Sequence, residues 1–138
     1  MFKTILFPVD QSREAHEAAS VVMELVKLHQ ATLVVLGVVE PEVTESGQEP
    51  HSEQMTSAEN VNRLLEEAQS VFTEAGIEAK TMKQEGKPAF TICDVADDIE
   101  ADLIVIGSRG TGLTEEGAVD SVSNRIINLS PCPVLVVP

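Results

Sequence analysis

Four short apolar runs and one weaker, alternating run are separated from one another by stretches with helical periodicity, which leaves this chain very few folds. "KTILFPVD" (Lys3 to Asp10), "ATLVVLGVVE" (Ala31 to Glu40), "DLIVIGS" (Asp102 to Ser108) and "CPVLVV" (Cys132 to Val137) are nearly continuous in apolar residues. That is the pattern of strands covered on both faces of a parallel sheet. "IEAKTMKQ" (Ile77 to Gln84) alternates instead and suits a sheet edge. Between the runs, apolar residues recur at helical spacing: Ala15, Ala18, Ala19, Val22, Leu25 and Val26 in the first stripe, then Ala58, Val61, Leu64, Leu65, Ala68, Val71, Phe72 and Ala75 in the second. A third stripe holds Ala89, Ile92, Cys93, Ala96 and Ile99, and a short fourth holds Val119, Val122, Ile126 and Leu129. Ser12 suits an N-cap, "TSAE" (Thr56 to Glu59) a capping box, Gly76 a C′ position and Pro88 a first helical turn.

Strand and helix therefore alternate from end to end, and a doubly wound α/β fold with a parallel sheet and helices on both faces is expected. All 138 residues are read as one domain, interrupted by a flexible surface loop at about 41–54, where two prolines, a glycine and four glutamates show no periodicity. Ligands of such sheets bind at the carboxyl ends of the strands, near the point where strand order reverses. Asp10, Val38 and Gly107 stand at or near such ends.

Charge narrows the partners. Twenty-three acids against nine bases give a net charge of −14, which argues against nucleic acid and anionic membrane surfaces. No apolar run approaches the ~18 residues of a membrane span, and "MFKTILFPVD" lacks the form of a signal peptide, so a cytoplasmic protein is expected. Cys93 and Cys132 have no CxxC spacing and read as reduced, packed thiols. His16, His29 and His51 have no partner at metal-ligand spacing, and no metal site is expected. Asp94, Asp97, Asp98, Glu100 and Asp102 read as a solvated acidic face.

The segment after the fourth run, "GSRGTGLTEEGAVDSVS" (Gly107 to Ser123), carries the chemistry. Glycines, a polar span and serines at a helix start are what a phosphate-binding turn requires, because the free amides of a helix N-terminus face the anion. Gly112 and Gly117 read as ordinary loop glycines, and Glu115 and Glu116 make the span acidic. Arg109 and Arg125 are the nearby cations.

Over essentially its whole length the sequence resembles the universal stress protein family, through "ILFPVDQS", "GVVEP", "ADLIVIGSRG" and "DSVSNRIINLSPCPVLVVP". The resemblance implies a Rossmann-like fold of the adenine nucleotide alpha hydrolase type, with a five-stranded parallel sheet of order 3-2-1-4-5. It also implies a homodimer paired through the last strand, Val134, Leu135, Val136 and Val137. The nucleotide-binding branch carries G-x2-G-x9-G followed by Ser or Thr. Carried over, Pro8, Val9, Asp10 and Val38 would lie around adenine and ribose, and Gly107, Arg109, Gly110, Ser121, Val122 and Ser123 around the phosphates. The third glycine is Asp120 here.

Three arrangements are open for Asp120. Its carboxylate fills the anion site by capping the helix, or it ligates Mg²⁺ on a bound ATP, or it turns to solvent and leaves nucleotide binding intact. A carboxylate ~4 Å from one phosphate charge costs about 1 kcal/mol in water and ~4 kcal/mol at an effective dielectric of about 20. The expectation is a non-enzymatic stress-response regulator with unidentified protein partners, in which nucleotide binding is weakened or lost. The alternative is an ATP or AMP sensor that uses Mg²⁺ only with ATP. No catalytic residue is expected: hydrolases of the ATP-pyrophosphatase type need a glycine-serine phosphate loop after the first strand, and "VDQSREAH" supplies none.

Overall fold

A computed structural model describes residues 1–9, 13–40, 58–107 and 122–138, the side chains of 13–16 excepted. The chain runs β1 (Thr4–Pro8), α1 (Arg13–His29), β2 (Thr32–Val39), α2 (Ala58–Glu74), β3 (Ala79–Glu85), α3 (Pro88–Asp98), β4 (Leu103–Gly107), α4 (Val122–Leu129) and β5 (Val134–Val137). The strands form one parallel sheet of order β3-β2-β1-β4-β5, the order that the resemblance implies. Ser12, Thr56, Ser57, Val119 and the 41–54 loop lie outside the described residues.

Side chains of a strand alternate between faces, and both faces of this sheet are covered. Ile5 and Phe7 of β1, Leu33 and Val35 of β2, and Leu103 and Val105 of β4 pack with Val22 of α1 and Val61 and Phe72 of α2. The intervening Leu6, Val34, Leu36, Ile104 and Ile106 pack on the other face with Ile92, Cys93 and Ala96 of α3 and Ile126 of α4. The near-continuous apolar runs thus serve two cores at once. Phe7 meets Phe72 edge to face, with ring centroids 6.0 Å apart. α2 comes so close to β2 that a methyl group on Gly37 would overlap Val61 and press on Leu65.

Pro8 sits at an unusual place, the end of the central strand. Peptide groups of a strand face its two neighbours alternately. The Val9 N–H donates to the Leu36 carbonyl on the β2 side (2.9 Å), and the Thr4 carbonyl accepts from the Asp102 N–H on the β4 side (2.8 Å). Even-numbered residues of β1 therefore face β4, and there Pro8 has no N–H to offer. The register of β1 with β4 ends at Leu6–Ile104, while β1 continues to Pro8 and β4 to Gly107. The two middle strands part at their carboxyl ends, at the reversal of strand order.

At the opposite end Asp102 ties the same strands together. Its carboxylate accepts from the N–H groups of Lys3 (2.9 Å) and Thr4 (3.0 Å). Asp102 thus leaves the solvated acidic face to which the sequence assigns it, because it follows the helix and begins the strand. Val71 and Leu129, expected in the core, are 40% and 48% exposed. Helical spacing marks a side of a helix, and both residues lie where that side runs past its covering neighbours.

Two helices end with the same pair of bonds, and a third shares one of them. After α2 the Ile77 N–H donates to the Phe72 carbonyl (2.8 Å) and Gly76 to Thr73 (3.0 Å), with Gly76 at φ 83°. After α3 Ala101 donates to Ala96 (2.9 Å) and Glu100 to Asp97 (3.2 Å), and after α1 Ala31 donates to Val26 (3.1 Å). There the left-handed residues are Glu100 (φ 54°) and Gln30 (φ 53°), which carry a Cβ where glycine is favoured. Glu100→Gly is therefore expected to stabilise the chain by about 1 kcal/mol, read as a higher urea midpoint at unchanged slope. A lower midpoint would show that the Glu100 side chain supports the fold in some other way.

Candidate functional site

The parting of β1 and β4 gathers the described members of the predicted site. Pro8 and Val9 stand at the end of β1, Val38 near the end of β2, Gly107 at the end of β4, and Val122 and Ser123 in the first turn of α4. Val9 packs on the α1–α2 face and Val38 on the α3–α4 face. Their side chains therefore lie on opposite sides of the sheet, and only backbone is shared across the rim. Asp10, Arg109, Gly110, Asp120 and Ser121 lie outside the described residues, as do Gly112, Glu115, Glu116 and Gly117.

One hydrogen bond fixes the geometry. The Ser123 hydroxyl donates to the Gly107 carbonyl at 3.1 Å, and Ser123, 6% exposed, is the buried polar residue among the described ones. Its single proton is committed to Gly107, so toward any further group Ser123 has only lone pairs to offer. The bond holds the first turn of α4 against the end of β4. The opening amides of α4 have no partner within the helix and carry its positive dipole end. Val122 packs half-buried on the α3–α4 face. Arg125, one turn on, is exposed.

Other chemistry is thin. Cys93 is buried and Cys132 half-buried, both free, and burial pushes each thiol above its ordinary pKa. The charge of Asp94 adds to the rise at Cys93, and a hydrogen bond from Ser130 works against it at Cys132. Both therefore stay protonated near neutral pH, a poor state for nucleophilic attack. His29 lies against the ring of Phe2, with centroids 5.1 Å apart, while His16's side chain and all of His51 lie outside the description. Among the described residues no three His, Cys, Asp or Glu side chains converge as metal ligands, and no helix is long and apolar enough to cross a membrane.

A cleft of about 160 Å³ between α1 and α2, floored by Phe7 and Phe72, was not expected from the residues. Its trace lies in Ala19 and Ala68, small residues within stripes that otherwise read as plain core.

Ser123→Ala removes a buried bond and orphans the Gly107 carbonyl, so a loss of about 1–2 kcal/mol is expected in urea unfolding. An unchanged midpoint would mean that other contacts hold the junction.

The Universal stress protein family model matches residues 1–138. Universal stress protein Sll1654 of Synechocystis is 59% identical over 138 residues, which is 100% of this chain and 87% of that relative. Universal stress protein UspA from Lactobacillus plantarum shares the fold with a TM-score of 0.74 at 29% identity, covering 99% of this chain and 98% of that one. A universal stress protein in complex with cAMP overlays with a TM-score of 0.79 at 20% identity, covering 99% and 97%. With sequence, strand order and overlay in agreement, this chain belongs to the universal stress protein family.

Proposed function

We propose that the chain is a non-enzymatic, cytoplasmic stress-response regulator that works as a homodimer through protein partners, with phosphate capture weakened by Asp120. The observation that carries this reading is the junction of β4 and α4. The Ser123–Gly107 bond keeps the helix start at the strand end, where phosphate-binding members of the family are expected to hold the anion. Asp120 stands two residues before the first residue of α4, in the position of the third glycine of G-x2-G-x9-G. A carboxylate there competes for the amides that a phosphate would use, and it repels the phosphate as well.

The dimer rests on β5. It is an edge of the sheet, paired on one side with β4, and its Leu135 is 36% exposed. An apolar edge with free peptide groups invites a second copy. The other edge, β3, carries Lys80 and Lys83, which discourage such pairing.

A second reading, the nucleotide sensor, draws support from the relative in complex with cAMP and from Gly107, Gly110 and Ser121, which keep their spacing. The two readings separate at one residue. Asp120→Gly is expected to raise ATP affinity by at least about fivefold, the smaller end of what removing ~1–4 kcal/mol of repulsion allows, as measured by equilibrium dialysis. ATP binding by the natural chain that needs Mg²⁺, with loss of that need in the variant, would favour the sensor with Asp120 on the metal. No change in affinity or metal dependence would contradict both roles for Asp120.

A further inference from the structure

We propose that the cleft between α1 and α2 is a second ligand site, taking an apolar group about one ring in size that carries a protonated amine. This does not rest on nucleotide binding. The cleft holds about 160 Å³, and a cavity of roughly 150 Å³ with aliphatic and aromatic walls accepts one benzene ring. Phe7 and Phe72, both fully buried, form the floor, with Met23 and Leu64 on the sides. Ala19 of α1 and Ala68 of α2 end at their Cβ atoms, and the space they leave is the cleft. Val71 is 40% exposed although Val61, Leu65 and Phe72 of its stripe are buried, and it lines this opening.

The polar groups of the cleft decide the ligand's charge. They are Ser20 and Glu67. The Ser20 hydroxyl already donates to the Glu17 carbonyl at 2.9 Å, so only its lone pairs remain. Glu67 has no hydrogen-bonded or ion-pair partner among the described residues, and an ionised carboxylate only accepts. Both groups ask for a donor, and one of them asks for a positive charge. The chain's net charge of −14 works in the same direction. A ring with an ammonium group on a short tether meets both demands: ring against Met23, Leu64, Ala68 and Val71, ammonium at Glu67 and Ser20.

The test is titration of the full chain with benzylamine, benzyl alcohol and phenylacetate, followed by NMR at the Val71 and Leu64 methyl groups and the Phe7 and Phe72 rings. Benzylamine is expected to give saturable shifts at these residues. It should bind roughly two- to fivefold more tightly than benzyl alcohol, the range an exposed ion pair supports, with phenylacetate weakest. Glu67→Gln, on the surface, should remove the preference for benzylamine over benzyl alcohol. Ala68→Leu should fill the cleft and abolish the shifts while the far-UV spectrum stays native, and where that variant does not fold the Glu67→Gln comparison decides. No saturable shift with any probe, equal binding of phenylacetate and benzylamine, or an amine preference that survives Glu67→Gln would overturn the proposal.

Discussion

The missing N–H of Pro8 is a small defect on which the upper half of the molecule depends. Within a central parallel strand a proline breaks the ladder, and for that reason it is rare there. Here it occupies the last residue of β1 on the side facing β4, just where the sheet changes direction. The break costs one bond and leaves the carboxyl ends of β1 and β4 apart. At their other ends the carboxylate of Asp102 clamps the same two strands through the N–H groups of Lys3 and Thr4. A joint closed at one end and open at the other provides a crevice without loosening the core, in which Ile5, Leu6, Ile104 and Val105 are fully buried.

What stands over the crevice is set by Ser123. Its buried hydroxyl brings the start of α4 to the end of β4, so the amides at that start stand at the carboxyl end of the strand. This frame is indifferent to what the amides receive. A phosphate and a carboxylate of the chain itself are alternatives that share the sign of their charge and offer oxygen acceptors, and the chain's own group needs no binding equilibrium to be present. On the function proposed above, aspartate in place of glycine at position 120 is what separates a regulator that answers to other signals from a receptor for nucleotides.

Much of this is legible in the residues. The apolar runs state that the sheet is buried on both faces, and alternation within them assigns Ile5 and Leu6, or Val34 and Val35, to opposite cores. Gly76 announces the end of α2. Gln30 and Glu100 announce nothing, because their left-handed backbone is imposed by the bonds around it and not chosen by the side chain. Asp102 reads as one more acid in an acidic stretch until the strand it begins is seen beside Lys3 and Thr4. Val71 and Leu129 obey the helical period and yet meet water, since periodicity says which side of a helix is apolar and not how far its cover reaches. The candidate site is legible only as a motif and a departure from it, whose Gly110, Asp120 and Ser121 lie outside the described residues. The bond of Ser123 to Gly107 is not, because only depth separates it from the other serines nearby.

The most direct measurement is calorimetric titration of the natural chain with ATP, with and without Mg²⁺, after confirming that no nucleotide co-purifies. If Asp120 has taken the place of the phosphate, no saturable heat is expected up to about 1 mM ATP, the concentration at which a binding free energy of about −4 kcal/mol would half-fill the site. Saturation near one nucleotide per chain at micromolar concentration would contradict this. The loop between Gly107 and Ser123 would then still cradle phosphate, and the chain would be a nucleotide sensor.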